Sequence, residues 1–209
     1  AWSFFYATNL NSLTLSENLV VIGWEALTGC NRLKELYIPA GLEKVYDDIT
    51  STSSLERITV DKNNRYLCDV DGVLYSKDMK NLICYPEGKK ASFYKIPDGV
   101  EEIHSGVFIY SRTLKEVSVP LSVRKIESAT FYAVEHIMYP GTQEQWLSIE
   151  FESTTDDLKH PGRVHVNYNS AANNRVEKTV PSRCNSAGTL TVTCTCGYLY
   201  SHEYLPMSD

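Results

Sequence analysis

Residues 94–114 read YKIPDGVEEIHSGVFIYSRTL, and residues 117–137 read VSVPLSVRKIESATFYAVEHI. Aligned on their prolines, the two segments share one layout: Val100, Ile103, Val107, Phe108 and Leu114 follow Pro97 at the offsets at which Val123, Ile126, Thr130, Phe131 and Ile137 follow Pro120. Residues 36–55, LYIPAGLEKVYDDITSTSSL, repeat the layout around Pro39. The segment LTLSENLVVIGWEALTGCNRL joins the series with Ser16 in the proline position, followed by Leu19, Ile22, Ala26, Leu27, Cys30 and Leu33. Ser16 to Pro39 and Pro97 to Pro120 are both 23 residues, whereas Pro39 to Pro97 is 58. A fixed period of this length marks stacked units, none of which can bury its apolar side alone.

Ahead of each proline the residues alternate in the period-two manner of a strand. Leu36/Ile38, Ile58/Val60, Tyr94/Ile96, Val117/Val119 and Ile137/Tyr139 face inward, and proline closes the strand where its missing N–H does no harm. The outward columns are then Glu35/Tyr37, Arg57/Thr59, Phe93/Lys95, Glu116/Ser118 and His136/Met138. Residues 142–149 start with Thr142-x-x-Gln145, the spacing of a helix capping box, and Trp146 and Ile149 lie three apart on one face of a helix that caps the stack. Residues 163–168, RVHVNY, alternate as a closing strand.

The pattern Leu-x-x-Val-x-Ile-Pro-x-x-Val-x-x-Ile-x-x-x-Ala-Phe-x-x-Cys resembles the BspA-type leucine-rich repeat of bacterial surface proteins, over about residues 10–168. The second unit departs from it with Ile49-Thr50 in place of Ala-Phe, and only Cys30 occupies the usual cysteine position. The resemblance implies a repeat solenoid of the α/β class, a right-handed β/α superhelix that is mostly β. It also implies an interaction or adhesion module, non-catalytic and extracellular or attached to a cell surface.

About residues 61–92 interrupt the repeat, and within them VLY at 73–75 and LICY at 82–85 read as a β-hairpin joined by the polar SKDMKN. The insert contains CDVDGVLYSKD at 68–78, whose first seven residues match the nucleophile motif of haloacid-dehalogenase-like phosphatases, with Asp69 as nucleophile and Asp71 as acid and base. That chemistry needs a buried parallel strand before the first Asp and an α/β body around it, but DKNNRYL is polar and no βαβ alternation exists. A calcium loop fails too, since the twelfth position from Asp69 is Lys80 where a bidentate Glu is required. Asp71-Gly72 is instead a hairpin turn, with Val73 and Tyr75 on one face and Leu74 on the other. Asp69 and Asp71 are expected to be exposed, without metal, and far from any catalytic Lys or second acid. The BspA-type family commonly carries such an insert, with Tyr85-Pro86 after it, and a terminal Gly-Thr-x-x-x-Trp element like the one ending at Trp146.

Residues 169–209 begin as a polar linker and continue as VPSRCNSAGTLTVTCTCGYLYSHEYLP, similar to the short Cys-Thr-rich β modules of bacterial surface proteins, with TLTVTC and YLYSHEY pairing. Cys184, Cys194, Cys196 and His202 make a Cys₃His set, but Cys194-x-Cys196 is one residue short of the usual knuckle. A disulfide from Cys184 to Cys194 or Cys196 is the alternative in a secreted module.

Bulk composition excludes several functions. Apolar residues make up 43% and charged residues 22%, as in a folded protein, and a net charge of −6 with a pI near 5.4 opposes binding to a phosphate backbone. No run of about 18 apolar residues spans a membrane, and AWSFFYATNL has no basic leader region. The expected partner is a protein or extracellular matrix component that meets a monomeric chain at Tyr37, Arg57, Phe93, Lys95 and His136, since aromatics and Arg dominate binding hot spots. Carbohydrate binding is the alternative, for which the 14 tyrosines provide stacking faces; its signature is two aromatics in one shallow groove beside Asn or Asp. A hydrolase is a distant third, because no nucleophile motif accompanies the histidines, and no cofactor is implied.

Overall fold

In the computed structural model, residues 6–23, 25–46, 54–152 and 163–166 are described in full, with the backbone of 175–180, 188–193 and 199–204. Each coil supplies a longer strand just before the proline position and a short strand about six residues later. The longer ones are β2 (Glu35–Ile38), β4 (Arg57–Val60), β8 (Phe93–Lys95), β10 (Glu116–Ser118), β12 (His136–Tyr139) and β14 (Val164–Val166). The short ones are β1 (Val21–Ile22), β3 (Lys44–Val45), β9 (Glu102–Ile103), β11 (Lys125–Ile126) and β13 (Glu150–Phe151). Before the insert and after it, each pairs in parallel with the equivalent strand of a neighbouring coil, for instance Val117 opposite both Tyr94 and Ile137. The molecule is a mostly-β solenoid with little helix. The Ala-Phe segments are turns, in which Leu27, Phe108 and Phe131 are buried and the last two rings stack at 5.6 Å.

The insert does more than form a hairpin. A strand missed by the two-strand reading, β5 (Leu67–Val70), joins β6 (Val73–Ser76) and β7 (Asn81–Cys84) in an antiparallel meander, and β7 then pairs in parallel with β9. Its polar approach hid the repeat frame. With Asp61 in the proline position, Asn64 and Leu67 fall where Leu42 and Val45 follow Pro39. Leu67 is therefore the inward residue of the third coil's second strand, and it is buried.

Asn64 stands at an apolar position and is 1% exposed. Its amide donates to the carbonyls of Pro39 and Leu42, both at 2.8 Å, and its Oδ1 accepts from the N–H groups of Tyr66 and Leu67, both at 2.8 Å. One side chain thus closes the turn of its own coil and that of the coil below. A buried polar group is tolerable when its bonding capacity is used in this way.

Two apolar cores run along the solenoid. One gathers Ile22, Leu27, Leu36, Ile38, Leu42, Leu55 and Ile58; the other gathers Ile96, Phe108, Val117, Ile126, Ile137 and Trp146. Strand β6 lies between them, with Val73 and Tyr75 in the second core and Leu74 in the first. At the far end, Thr142 and Gln145 form the reciprocal capping box of α1 (Gln143–Leu147). That box turns Trp146 inward, fully buried, against Tyr139 at 5.2 Å and Phe151 at 5.6 Å.

Separately, β15 (Arg175–Val180), β16 (Gly188–Thr193) and β17 (Leu199–Tyr204) form a three-stranded antiparallel sheet, in which TLTVT at 189–193 and LYSHE at 199–203 pair. Cys184, Cys194 and Cys196, and the side chain of His202, lie outside the described residues.

Asn64→Ala removes four hydrogen bonds from a buried site, two to the Pro39 and Leu42 carbonyls and two from the Tyr66 and Leu67 N–H groups. At about 1 kcal/mol for each bond lost, urea unfolding should show a loss of roughly 4 kcal/mol.

Candidate interaction face

The outward side of β2 and β4 is open to solvent. Tyr37 is 45% exposed, and Glu35, Arg57 and Thr59 are exposed beside it, with Glu35 opposite Arg57 and Tyr37 opposite Thr59 in register. The Tyr37 hydroxyl donates to Asp61 Oδ2 at 2.5 Å. This bond, with burial and the nearby charges of Asp61 and Glu17, holds the phenol above its usual titration range, and the same bond together with the Asn63 N–H holds the Asp61 carboxyl below its own. Asp61 is a residue that strand alternation did not single out. It enters because it follows β4 at the strand end, one coil above Pro39.

The insert turn borders this face. Asp71 and Gly72 take φ of 50° and 77°, the two left-handed values of a type I′ turn between Val70 and Val73. Here β4 has no next strand, and the turn completes its edge: the Gly72 carbonyl accepts from Ile58 N at 2.9 Å, and Asp69 Oδ1 accepts from Val60 N at 2.7 Å. Asp69 is therefore half-buried rather than exposed, whereas Asp71 is exposed, as expected, and pairs with Lys89 Nζ at 2.8 Å. The turn is packed against the coil at Arg57, and Lys89 reaches it from the segment that Gly88 ties to the Leu55 carbonyl at 2.7 Å. The Asp69 carboxylate and the Gly72 carbonyl do the work of a missing strand, and among the described residues no three His, Cys, Asp or Glu side chains are grouped to hold a metal.

The remaining sequence-selected residues lie apart from Tyr37 and Arg57, beyond the insert turn. Lys95 is exposed and close to Asp98 at 4.0 Å, Phe93 is half-buried, and His136 is half-buried with Nδ1 2.9 Å from Nε2 of His165. In this part of the sheet the outward row is not solvated: Ser118, Met138 and His165, cross-strand neighbours, are each buried. His165, in the middle of RVHVNY, was overlooked because that strand was read only as an edge. A groove of about 340 Å³ lies between the last coils and α1, lined by Leu121, Val123, Tyr139, Ile149, Arg124 and Gln145. It holds one aromatic and neither Asn nor Asp, which is not the two-ring platform that sugars stack on.

A family model for the BspA type leucine rich repeat region matches residues 2–70 and 84–155, in six copies. The chain belongs to this family. Only residues 71–83 interrupt the BspA-type match, so the third coil is counted up to Val70 as the frame through Asn64 and Leu67 requires. Among solved structures, the pneumococcal vaccine antigen PcpA is similar with a TM-score of 0.55 and 31% identity, over 57% of this chain and 31% of that one. A leucine-rich repeat protein from Eubacterium ventriosum is similar with a TM-score of 0.54 and 26% identity, over 57% of this chain and 33% of that one. This BspA-type chain thus spans about a third of the length of either. No curated protein matches it. Among the described residues no helix is long and apolar enough to cross a membrane.

Cys30, Cys68 and Cys84 lie in the BspA-type region, and burial raises the pKa of each thiol, most strongly for Cys84. Iodoacetamide labelling followed by peptide mapping should leave Cys30 and Cys84 unmodified in the native protein and modify both in urea.

Gly72→Ala places a Cβ 2.9 Å from Arg57 Cβ at a positive φ, whereas Gly99→Ala meets nothing within 4 Å at its positive φ. The first should cost about 2–3 kcal/mol of stability and the second about 1, by urea denaturation, the difference reporting the packing of the turn on β4.

Proposed function

We propose that this chain is a non-catalytic interaction module of a bacterial surface protein, and that it binds a protein partner, such as an extracellular matrix component, through the open side of β2 and β4. The observation that supports this most directly is the fixed aromatic–Arg pair. Tyr37 is exposed yet held by Asp61, and Arg57 is exposed yet seated at its base against Gly72. Both stand on paired strands, so little side-chain and backbone freedom is lost when a partner docks. Tyr and Arg are the residue types that anchor interfaces. Lys95, Phe93 and His136 extend the candidate face beyond the insert turn, with Lys95 the most accessible of them.

The similarity to a pneumococcal vaccine antigen supports a location outside the cell. The acidic net charge of −6 accords with a protein partner rather than nucleic acid. The fold needs no second copy to bury its described cores, so the reading is of a monomer.

Biolayer interferometry against a panel of matrix and host-surface proteins, run beside a glycan array, tests the proposal. Wild type should bind at least one protein with micromolar or tighter Kd. Tyr37→Ala/Arg57→Ala should weaken that binding at least tenfold with an unchanged circular dichroism spectrum. Binding to glycans alone, or protein binding that the double variant leaves intact, rejects it.

A further inference from the structure

On the outward side of the last coil two imidazoles meet. His136 opens β12 and His165 lies in the middle of β14, with Nδ1 of the first 2.9 Å from Nε2 of the second and ring centroids 5.1 Å apart. His165 is 3% exposed. At this separation one of the two nitrogens carries a hydrogen and the other offers its lone pair. The contact accommodates two neutral rings, and it accommodates one proton on the pair, because the charged ring still donates to the neutral one. A second proton puts a hydrogen on both facing nitrogens and two positive charges within hydrogen-bond distance.

We propose that the His136–His165 pair is an acid-operated latch on the last strand of the solenoid, closed while at least one ring is neutral and opened by the second proton. The strand it holds is short. β14 is otherwise fixed by its parallel ladder to β12, by Ile137 N donating to the Arg163 carbonyl at 2.8 Å, and by buried Val164. The described charged groups around the pair set the order of protonation. Glu116, opposite His136 in register on β10, and Glu135, beside it and itself paired with Lys115, draw a proton to His136. Burial and Arg163 oppose them, so the His136 pKa stays below the ordinary value. Arg163 is anchored through its guanidinium to the carbonyls of Phe131 and Val134, which keeps its charge next to the pair. Burial first, and the charge on His136 second, push the His165 pKa down to about 4.

The direction of the pH effect follows. An unconstrained His titrates near 6.5. Above that pH both the docked and the detached strand carry neutral rings, and docking is at full strength. As the pH falls from about 6.5 towards 4, the detached form takes up a proton that docked His165 refuses, so docking weakens progressively and is lost below the folded pKa.

Two measurements on the full chain test this. In an NMR titration of the imidazoles, His165 should titrate below pH 5 and at a lower pH than His136. Amide hydrogen exchange, expressed as protection relative to the intrinsic rate at each pH, should fall at least tenfold at Val164–Val166 between pH 6.5 and 4, while Ile103 and Val117 hold. His165→Phe keeps a buried ring without a titrating nitrogen and should abolish the fall. If that variant does not fold, His136→Gln serves instead, since its amide can accept from a protonated His165, and it should reduce the fall below threefold. The latch is overturned if His165 titrates near 6.5, if protection at Val164–Val166 stays constant down to pH 4, or if the folded variant loses protection as wild type does.

Discussion

The solenoid depends on one strand being buried from both sides. In β6 successive residues point to opposite faces, so Val73, Leu74 and Tyr75 are each without solvent exposure only because one core lies on each side of the strand. An ordinary coil faces the interior with one side. The insert is therefore a shared wall, and the coils before it and after it meet through that wall where the parallel sheets of both halves break. Fully burying side chains of this size is worth about 1.5–3 kcal/mol each, so the wall contributes as much as the interior of a regular coil.

Around that wall the stacking is maintained by repeated local solutions. Backbone N–H groups of one coil reach carbonyls of the previous one, as from Glu43 to Val20, Arg124 to Glu101 and Glu150 to Arg124. Lys–Glu pairs follow the same step: Lys34 with Glu56, Lys80 with Glu101, Lys125 with Glu152. These pairs are largely solvated and add little individually. Polar positions inside are handled differently. Asn64 and Thr130 stand at apolar positions of the frame, and each directs its side-chain donor to backbone carbonyls.

What could be read in advance was the part governed by period. The offsets from each proline locate the inward residues: Leu36, Ile38, Ile58, Ile96, Val117, Val119, Ile137 and Tyr139 are buried, while Val60 and Tyr94 are half-buried. The capping-box spacing of Thr142 and Gln145 located the start of α1 for the same reason, because a local hydrogen-bond pattern needs no distant partner. The third coil was obscured because Asp61 and Asn64 break the apolar signal, and their compensating bonds are made 22 to 25 residues away. Likewise the candidate face could be placed only by column. That Tyr37 is held by Asp61 while His136 is held by His165 depends on contacts between different coils, which alternation along one strand does not encode.

The Asp71–Gly72 turn has a consequence for how this molecule coexists with copies of itself. A parallel ladder that stops in mid-solenoid leaves β4 with N–H groups that could recruit a foreign strand, the starting point of edge-to-edge aggregation. The Gly72 carbonyl and the Asp69 carboxylate occupy the Ile58 and Val60 N–H groups. Because one of those acceptors is an ionised side chain, an intruding strand would have to displace a charge as well as a hydrogen bond. The interruption that divides the ladder is thus closed to self-templating, and the protein can tolerate a break in its repeat without acquiring a sticky edge.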